Sequence, residues 1–208
     1  MNAQASHTSK TRLLDAALTV IRTKGYSATT VDDICQEAGV TKGSFFHHFK
    51  SKDELALGAA DHFSEMADGL FATAPYRAAS DPLERLLGYI DFRAAMLKYE
   101  IPQYTCLLGT MVQEAYETSP RIRQACETVI GNHAAVVARD LAAAKKLHVP
   151  DATWDPLELA LFTQVVIQGA FVMAKAQQDR RVASDSLDHL HRYVELLFSQ
   201  STNRKYKR

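Results

Sequence analysis

A short basic and aromatic segment in the first quarter of the chain carries the side chains best suited to binding chemistry. Residues 41–52, TKGSFFHHFKSK, contain three lysines, two histidines and three phenylalanines but no acidic residue. Ammonium and imidazole groups bind phosphate oxygens, while hydroxyls and aromatic rings contact base edges in a DNA groove. Because the whole chain has 24 basic and 24 acidic residues, any attraction to nucleic acid is expected to come from this segment.

Two short helices are predicted to position the segment. A capping box formed by Thr30 and Asp33 opens the first helix, Gly39 ends it, and Thr41 begins the second. Helices joined by so short a turn have the dimensions of a helix-turn-helix, whose second helix lies in the major groove of DNA. Four apolar side chains are predicted to face inwards: Ile34, Val40, Phe45 and Phe49.

The other side chains of the second helix are predicted to face DNA. Lys42 and Ser44 suit base edges. Gly43 permits close backbone approach, and Phe46 suits a thymine methyl group. Phosphate contacts are predicted for His47, His48, Lys50, Lys52 and the helix start at Thr30. Residues 1–55 hold seven basic and six acidic residues, so one copy is expected to bind weakly and a dimer is favoured. The alternative interpretation is an aromatic cluster at a core edge beside solvated lysines.

The stretch TRLLDAALTVIRTKGYSATTVDDICQEAGVTKGSFFHHFKSKDEL (residues 11–55) resembles the N-terminal DNA-binding domain of TetR-family repressors. The resemblance implies an all-helical homodimer with a variable ligand-binding domain after this module, and repression that a ligand relieves. The family's DNA-contacting positions fall on Thr30, Thr41, Lys42, Gly43, Ser44, Phe46, His47, His48 and Lys52. Phe46 and His47 stand where the family commonly has two tyrosines, so two phosphate-binding hydroxyls are missing.

The rest of the chain is also predicted to be helical. Of its 208 residues, 47% are hydrophobic, and the apolar positions recur at spacings of three and four rather than two. The predicted fold is all-α with about nine helices. A three-helix helix-turn-helix domain is expected at residues 1–54, and a helical bundle for effector binding and dimerisation at residues 55–208.

The last two long helices are predicted to pair with those of a second copy, as the resemblance implies. They offer Leu161, Val165, Gly169, Phe171, Val172 and Met173 on one helix, and Leu190, Tyr193, Val194, Leu197 and Phe198 on the other. A two-fold axis would match a palindromic double-stranded DNA operator. The alternative interpretation is that these residues form an ordinary monomer core.

Two kinds of effector site are compatible with the second domain. Cys106 lies near the start of a helix predicted over residues 103–117, where the helix dipole favours a reactive thiolate. Cys106 and Lys175 resemble positions in the electrophile-sensing, N-ethylmaleimide-responsive branch of TetR-like repressors, in which a cysteine–lysine pair is the switch. The alternative is a pocket for a mostly apolar small molecule, although these residues also suit a plain core. Its candidate lining is Phe92, Met96, Tyr104, Met111, Tyr116, Trp154, Phe162, Gln168 and Phe171.

Other function classes have less support. Three cysteines without paired spacing argue against a disulfide framework and a zinc knuckle. No nucleophile signature accompanies Cys106 or Cys126, so neither an enzyme nor a cofactor is expected. His189 and His191 diverge on a helix, so no metal is expected. No run approaches the roughly 18 apolar residues of a membrane span, and no signal-type segment occurs, so a cytoplasmic protein without membrane contact is expected. A helical interaction scaffold without DNA binding is the alternative function.

Overall fold

The structure is a computed structural model that describes residues 8–199. Its ten α-helices are α1 (Ser9–Lys24), α2 (Val31–Ala38), α3 (Lys42–His48), α4 (Lys52–Ala72), α5 (Pro82–Ala95), α6 (Ile101–Tyr104), α7 (Leu107–Ala115), α8 (Pro120–His148), α9 (Pro156–Gln177) and α10 (Arg181–Ser199). Two short 3-10 helices, Pro75–Ala78 and Met96–Lys98, lie before and after α5. No strand occurs within residues 8–199, and the predicted all-α class is confirmed.

The described residues form two compact units. The N-terminal unit comprises residues 8–69 and 105–129, and the C-terminal unit comprises residues 70–104 and 130–199. The domain boundary predicted after residue 54 falls in the first turn of α4. That boundary stays a prediction.

Side-chain caps explain where several helices begin. The Asp33 N–H donates to the Thr30 hydroxyl (3.1 Å), and the Thr30 N–H donates to the Asp33 carboxylate (2.9 Å), as the capping box predicted. The Thr41 hydroxyl caps α3 by accepting from the Ser44 N–H. Asp81 and Asp155 cap α5 and α9, each of which has proline at its first position. These starts follow from local sequence.

The helix predicted over residues 103–117 is interrupted. α6 ends at Tyr104, Cys106 has an extended backbone (φ −79°, ψ 127°), and α7 begins at Leu107. Cys106 is the N-cap of α7, because its Sγ accepts a hydrogen bond from the Gly109 N–H at 3.4 Å. The prediction of a single helix was wrong, because the spacing of apolar residues does not show that a cysteine caps a new helix. The break adds a tenth helix.

α1 lies at the centre of the N-terminal unit, where it packs against α2, α3 and α7. Leu13 and Ile21 of α1, Ile34 of α2 and Phe45 of α3 are all completely buried. Gly39 closes the turn between α2 and α3 with φ 61° and ψ 41°, a left-handed conformation that favours glycine. The first three helices therefore form the predicted helix-turn-helix arrangement.

In the C-terminal unit, α10 packs against both α9 and α5. Leu86 and Ile90 of α5 and Leu187 and Val194 of α10 are almost completely buried. Within residues 8–199, α9 alone is long and apolar enough to pass a length-and-composition test for a membrane span, although no such run was expected from the sequence. Eight α9 residues are buried. The apolar residues of α9 therefore lie partly in the core and partly on an exposed face.

Candidate DNA-binding interface and effector region

α3 presents most of the predicted DNA-facing side chains outwards. Thr41, Lys42, Gly43 and His47 are exposed. Phe46 is 56% exposed, whereas its neighbour Phe45 is completely buried and packs edge-on against it with ring centroids 5.1 Å apart. Ser44 and Val40 are half-buried. An exposed phenylalanine held rigidly by a buried one suits contact with a partner.

Lys42 already has an anionic partner on α2. Its Nζ lies 2.8 Å from Oδ1 of Asp32, and both side chains are largely exposed. Hydrogen bonding to Asp32 raises the pKa of Lys42. An exposed ion pair of this kind contributes at most about 1 kcal/mol, so a DNA phosphate or base edge can displace Asp32.

Lys52 has a different environment from the other lysines of the segment. Its ammonium donates to the backbone carbonyls of Tyr26 and Thr29, both at 3.0 Å, and lies 4.5 Å from the centroid of the Tyr26 ring. Lys52 therefore fastens the α1–α2 loop to the start of α4. A phosphate contact by Lys52 would require these bonds to be exchanged.

Further hydrogen bonds hold α2 and α3 against α1. His48 is half-buried, and its Nε2 lies 2.7 Å from the Ser9 hydroxyl of α1. Arg12 donates to the carbonyls of Ala38 and Gly39 at the end of α2. Lysine and arginine side chains at helix ends satisfy carbonyls that lack partners in the helix. α1 is thus tied to the turn of the helix-turn-helix and to the end of α3.

The other predicted phosphate contact, Thr30, is exposed at the N-terminus of α2. Its hydroxyl is 2.7 Å from Asp33, whose carboxylate also pairs with Lys24 at 2.7 Å. Hydrogen bonds from Lys24 and Thr30 lower the pKa of Asp33 to about 2. The start of α2 therefore carries an ionised carboxylate close to Thr30, and the sequence interpretation did not include the Lys24 ammonium that pairs with it.

α7 contacts the α1–α2 loop within the N-terminal unit, and Ser119, just before α8, contacts α4. The Ser27 N–H donates to Oε2 of Glu114 at 2.7 Å. The Tyr26 hydroxyl donates to Oδ1 of Asp53 at 2.5 Å, and the Ser119 hydroxyl donates to Oδ2 of the same carboxylate at 3.2 Å. No sequence signal pointed to these bonds, because they join residues 27 to 87 positions apart. They connect the helix that Cys106 caps to the DNA-binding fold.

Cys106 differs from the other two thiols in its exposure. Cys35 and Cys126 are buried, and burial raises the pKa of both, that of Cys126 to about 12. Cys106 is partly exposed, and Arg22 lies near it. Lys175, its predicted partner, is half-buried in the C-terminal unit. The Cys106–Lys175 pairing stays a prediction.

The residues predicted to line an apolar pocket lie in several different environments. The Tyr104 and Phe171 rings are 5.6 Å apart, and Phe92 lies 5.9 Å from Phe71. Trp154 instead packs against Phe198, and Phe162 against Tyr193 on an exposed surface. Of the others, Met111 is buried in the N-terminal unit, Tyr116 is exposed, and Met96 and Gln168 are half-buried.

The C-terminal unit also holds a polar cluster that sequence analysis missed. The Tyr89 hydroxyl lies 2.9 Å from Nε2 of His133 and accepts a hydrogen bond from the buried Gln164 amide at 3.1 Å. Burial, aided by the nearby charges of Arg93 and Arg77, lowers the pKa of His133 to about 4. His133 is therefore neutral near pH 7. Within residues 8–199, no group of three or more histidine, cysteine or acidic residues could hold a metal ion.

Comparison with known proteins agrees with this geometry. Residues 13–59 match the family model for bacterial regulatory proteins of the tetR family, and residues 82–186 match that for the C-terminal domain of LmrA/YxaF-like transcriptional regulators. An uncharacterised HTH-type regulator from the lacX 3' region of Lactococcus lactis subsp. lactis is 26% identical over 181 residues, or 87% of this chain and 90% of that protein.

Solved structures show the same fold. A regulatory protein TetR from Rhodobacter sphaeroides superposes with a TM-score of 0.79 at 26% identity, over 91% of this chain and 98% of that chain. The reduced form of E. coli NemR has a TM-score of 0.76 at 19% identity, over 88% of this chain and 95% of that chain, a likeness of fold alone. Since one family model covers the helix-turn-helix and the other covers half of the chain, this protein belongs to the TetR family of transcriptional regulators.

Proposed function

We propose that this regulator is a repressor that binds a palindromic operator as a homodimer and is released by an effector. The observation that supports this function best is the outward presentation of α3, with Lys42, Phe46 and His47 exposed over a buried Phe45. Thr41, Gly43 and Ser44 complete the proposed base-reading surface, while Thr30, His48 and Lys50 adjoin it on the phosphate side. Lys52 positions the α1–α2 loop. Because its target is genomic DNA, the protein acts in the cytoplasm.

An exposed apolar surface on α9 and α10 supports the homodimer. Its members, all 43% exposed or more, are Leu157, Leu161, Val165, Val172 and Met173 of α9 and Tyr193 and Leu196 of α10. Gly169 lies on the same helix with open space where a Cβ would stand, which permits close approach of a second helix. Four residues that the sequence assigned to this surface, Phe171, Leu190, Val194 and Phe198, are buried in the chain itself and are core residues instead.

Release of DNA is proposed to follow from a change in the second part of the chain. A small molecule in the C-terminal unit is one route. Modification of Cys106 is the other, because a group added to Sγ would crowd the cap that this sulfur forms with the Gly109 N–H of α7. α7 contacts the α1–α2 loop through the hydrogen bond between Glu114 and Ser27. A displaced α7 would therefore move this loop and disturb the helices that hold α3.

A gel-shift and footprinting experiment tests the DNA-binding proposal. The full-length protein is titrated onto the DNA upstream of its own gene at low salt, and two-fold symmetric protection is expected. Lys42→Ala is expected to weaken binding by about 1–3 kcal/mol. Lys146→Ala, which removes an exposed lysine of α8, is the matched control and is expected to bind as the wild type does. A wild-type protein that ignores duplex DNA would favour the interaction-scaffold alternative.

A further inference from the structure

An acidic side chain lies beside the surface that α3 is proposed to present to DNA. Asp32 is on α2, and its Oδ1 lies 2.8 Å from Nζ of Lys42, the first residue of α3. The Lys42 and Asp32 side chains are 60% and 67% exposed. Phe46, four positions after Lys42 and therefore on the same side of the helix, is also exposed. The Asp32 carboxylate thus borders the proposed base-reading surface.

Asp32 has a smaller structural role than its neighbour Asp33. Asp33 closes the capping box of α2 and pairs with Lys24, whereas Asp32 pairs with Lys42 across an exposed surface. An exposed ion pair and a carboxylate in the first turn of a helix each contribute little to stability. A carboxylate close to DNA also repels the phosphate groups. Stability alone is therefore a weak reason for an acidic residue at this place.

The pair places hydrogen-bond donors next to an acceptor, and a G·C base pair has the complementary groups. In the major groove guanine offers the acceptors N7 and O6, and the cytosine paired with it offers an N4–H donor. An ammonium group suits the two guanine acceptors, and a carboxylate suits the cytosine donor. Lys42 can therefore turn from Asp32 to guanine, while Asp32 accepts a hydrogen bond from the cytosine of the same base pair.

Other groups of DNA match the pair less well. A T·A base pair offers thymine O4 to the lysine and adenine N6 to the carboxylate, but the lysine then loses its second acceptor and meets the thymine methyl group. A phosphate accepts a hydrogen bond from Lys42 but has no donor for Asp32, whose charge it repels. A G·C base pair is therefore the part of DNA that satisfies both side chains best.

We propose that Asp32 and Lys42 together read one G·C base pair in each half of the operator, with Lys42 donating to guanine and Asp32 accepting from cytosine N4. This inference rests on the proposed function, because it requires α3 to lie in the major groove of DNA. It makes Asp32 a specificity-determining residue, which the DNA contacts predicted from the sequence do not include.

Selection of binding sites from a random duplex library by the full-length protein tests the assignment. The wild type is expected to select a G·C base pair at one position in each half-site. Asp32→Ala is expected to reduce the preference for G·C at that position by about 5- to 50-fold and to leave the other positions unchanged. Glu37→Ala, which removes another exposed carboxylate of α2, is the matched control and is expected to keep the wild-type preference.

Modified bases in the selected operator separate the two contacts. N4-methylcytosine removes the cytosine donor, and it is expected to weaken binding of the wild type by about 5- to 50-fold and to leave Asp32→Ala unaffected. 7-Deazaguanine removes the N7 acceptor, and it is expected to weaken binding of the wild type and of Asp32→Ala but not of Lys42→Ala. If Asp32 only stabilised α2, Asp32→Ala would lower the melting temperature and still respond to N4-methylcytosine, and the assignment would be wrong.

The outcomes keep this inference separable from the proposed function. If the wild type selects an operator but Asp32→Ala keeps every base preference, the G·C assignment is wrong and the proposed function stands. If Asp32→Ala and Glu37→Ala lose the same preference, the loss of negative charge explains the change and the assignment is again wrong. If the wild type selects no duplex, the proposed function fails and the assignment fails with it.

Discussion

At the scale of single residues, three lysines that look alike in the sequence have different surroundings in the folded chain. Lys42 pairs with Asp32 across an exposed surface, and Lys52 donates to backbone carbonyls of the α1–α2 loop. The Lys50 side chain is exposed. A lysine that satisfies half-buried carbonyls contributes to stability, whereas an exposed one does not.

Lys52→Ala is therefore expected to lower the free energy of unfolding by about 1–3 kcal/mol, because the Tyr26 and Thr29 carbonyls lose their donor. Lys50→Ala is the matched control, since it removes an equal charge two positions away, and its effect is expected to stay within about 0.5 kcal/mol. Urea denaturation of both variants measures the difference. Equal stability of the two variants would contradict the positioning role of Lys52.

His133 makes stability depend on pH. Its pKa is about 4 in the folded chain, below the ordinary value of 6.5, because burial disfavours the imidazolium. A depressed pKa gives stability that is fully present above pH 6.5 and is lost as the pH falls towards 4. Unfolding in urea is expected to show a loss of about 2 kcal/mol between pH 7.5 and pH 5.

A pair of histidine variants checks this assignment. His133→Gln is expected to reduce the pH dependence over that interval, whereas His189→Gln, at an exposed position of α10, is expected to retain it. The loss of stability should therefore follow His133 alone. A pH dependence that survives in His133→Gln would assign the effect to another group.

At the scale of elements, Cys106 determines where α7 begins. Its Sγ accepts from the Gly109 N–H, so a hydroxyl at the same position can replace it. Serine is among the best N-cap residues and alanine is among the poorest. Cys106→Ser is expected to unfold within about 0.5 kcal/mol of the wild type, and Cys106→Ala to lose about 0.5–1 kcal/mol in urea denaturation.

The same serine variant tests the covalent route of release. Cys106→Ser retains the cap but cannot be alkylated as a thiol, so N-ethylmaleimide is expected to release the wild type from operator DNA and to leave this variant bound. Mass spectrometry reports which cysteines are labelled. Release of Cys106→Ser by the reagent would assign the response to another residue.

Local patterns explain how much of the fold the sequence predicted. The capping box located the start of α2 and Thr41 that of α3, since a cap involves residues only three positions apart. Bonds between residues far apart in the sequence could not be predicted from it. The Lys52 carbonyl contacts and the Glu114–Ser27 bond join residues 23 to 87 positions apart.

At the scale of the whole molecule, the neutral net charge makes affinity for DNA depend on dimer formation. A chain with 24 basic and 24 acidic residues has no general attraction to DNA, so affinity depends on the number of α3 surfaces that bind together. The exposed apolar surface of α9 and α10 is where a second copy is proposed to pack. A change that prevents dimer formation is therefore expected to weaken operator binding as well.

Val165→Glu tests this coupling, because Val165 is 67% exposed in the chain and lies within that surface. A carboxylate there would be buried without a partner in the dimer, so a monomer with weaker operator binding is expected. Leu147→Glu, at a position 62% exposed on α8, is the matched control and is expected to stay dimeric. Sedimentation analysis of both variants gives the answer, and a dimeric Val165→Glu protein would place the interface elsewhere.

The Asp32–Lys42 pair sets a cost on the proposed DNA contact of Lys42. Asp32 occupies the lysine much as a phosphate oxygen would, so that contact would require an intramolecular competitor to be displaced. The cost would be the same at every sequence, whereas base contacts that offset it would form only at an operator. Asp32 would therefore lower the occupancy of random DNA and leave base contacts to decide where the regulator stays bound.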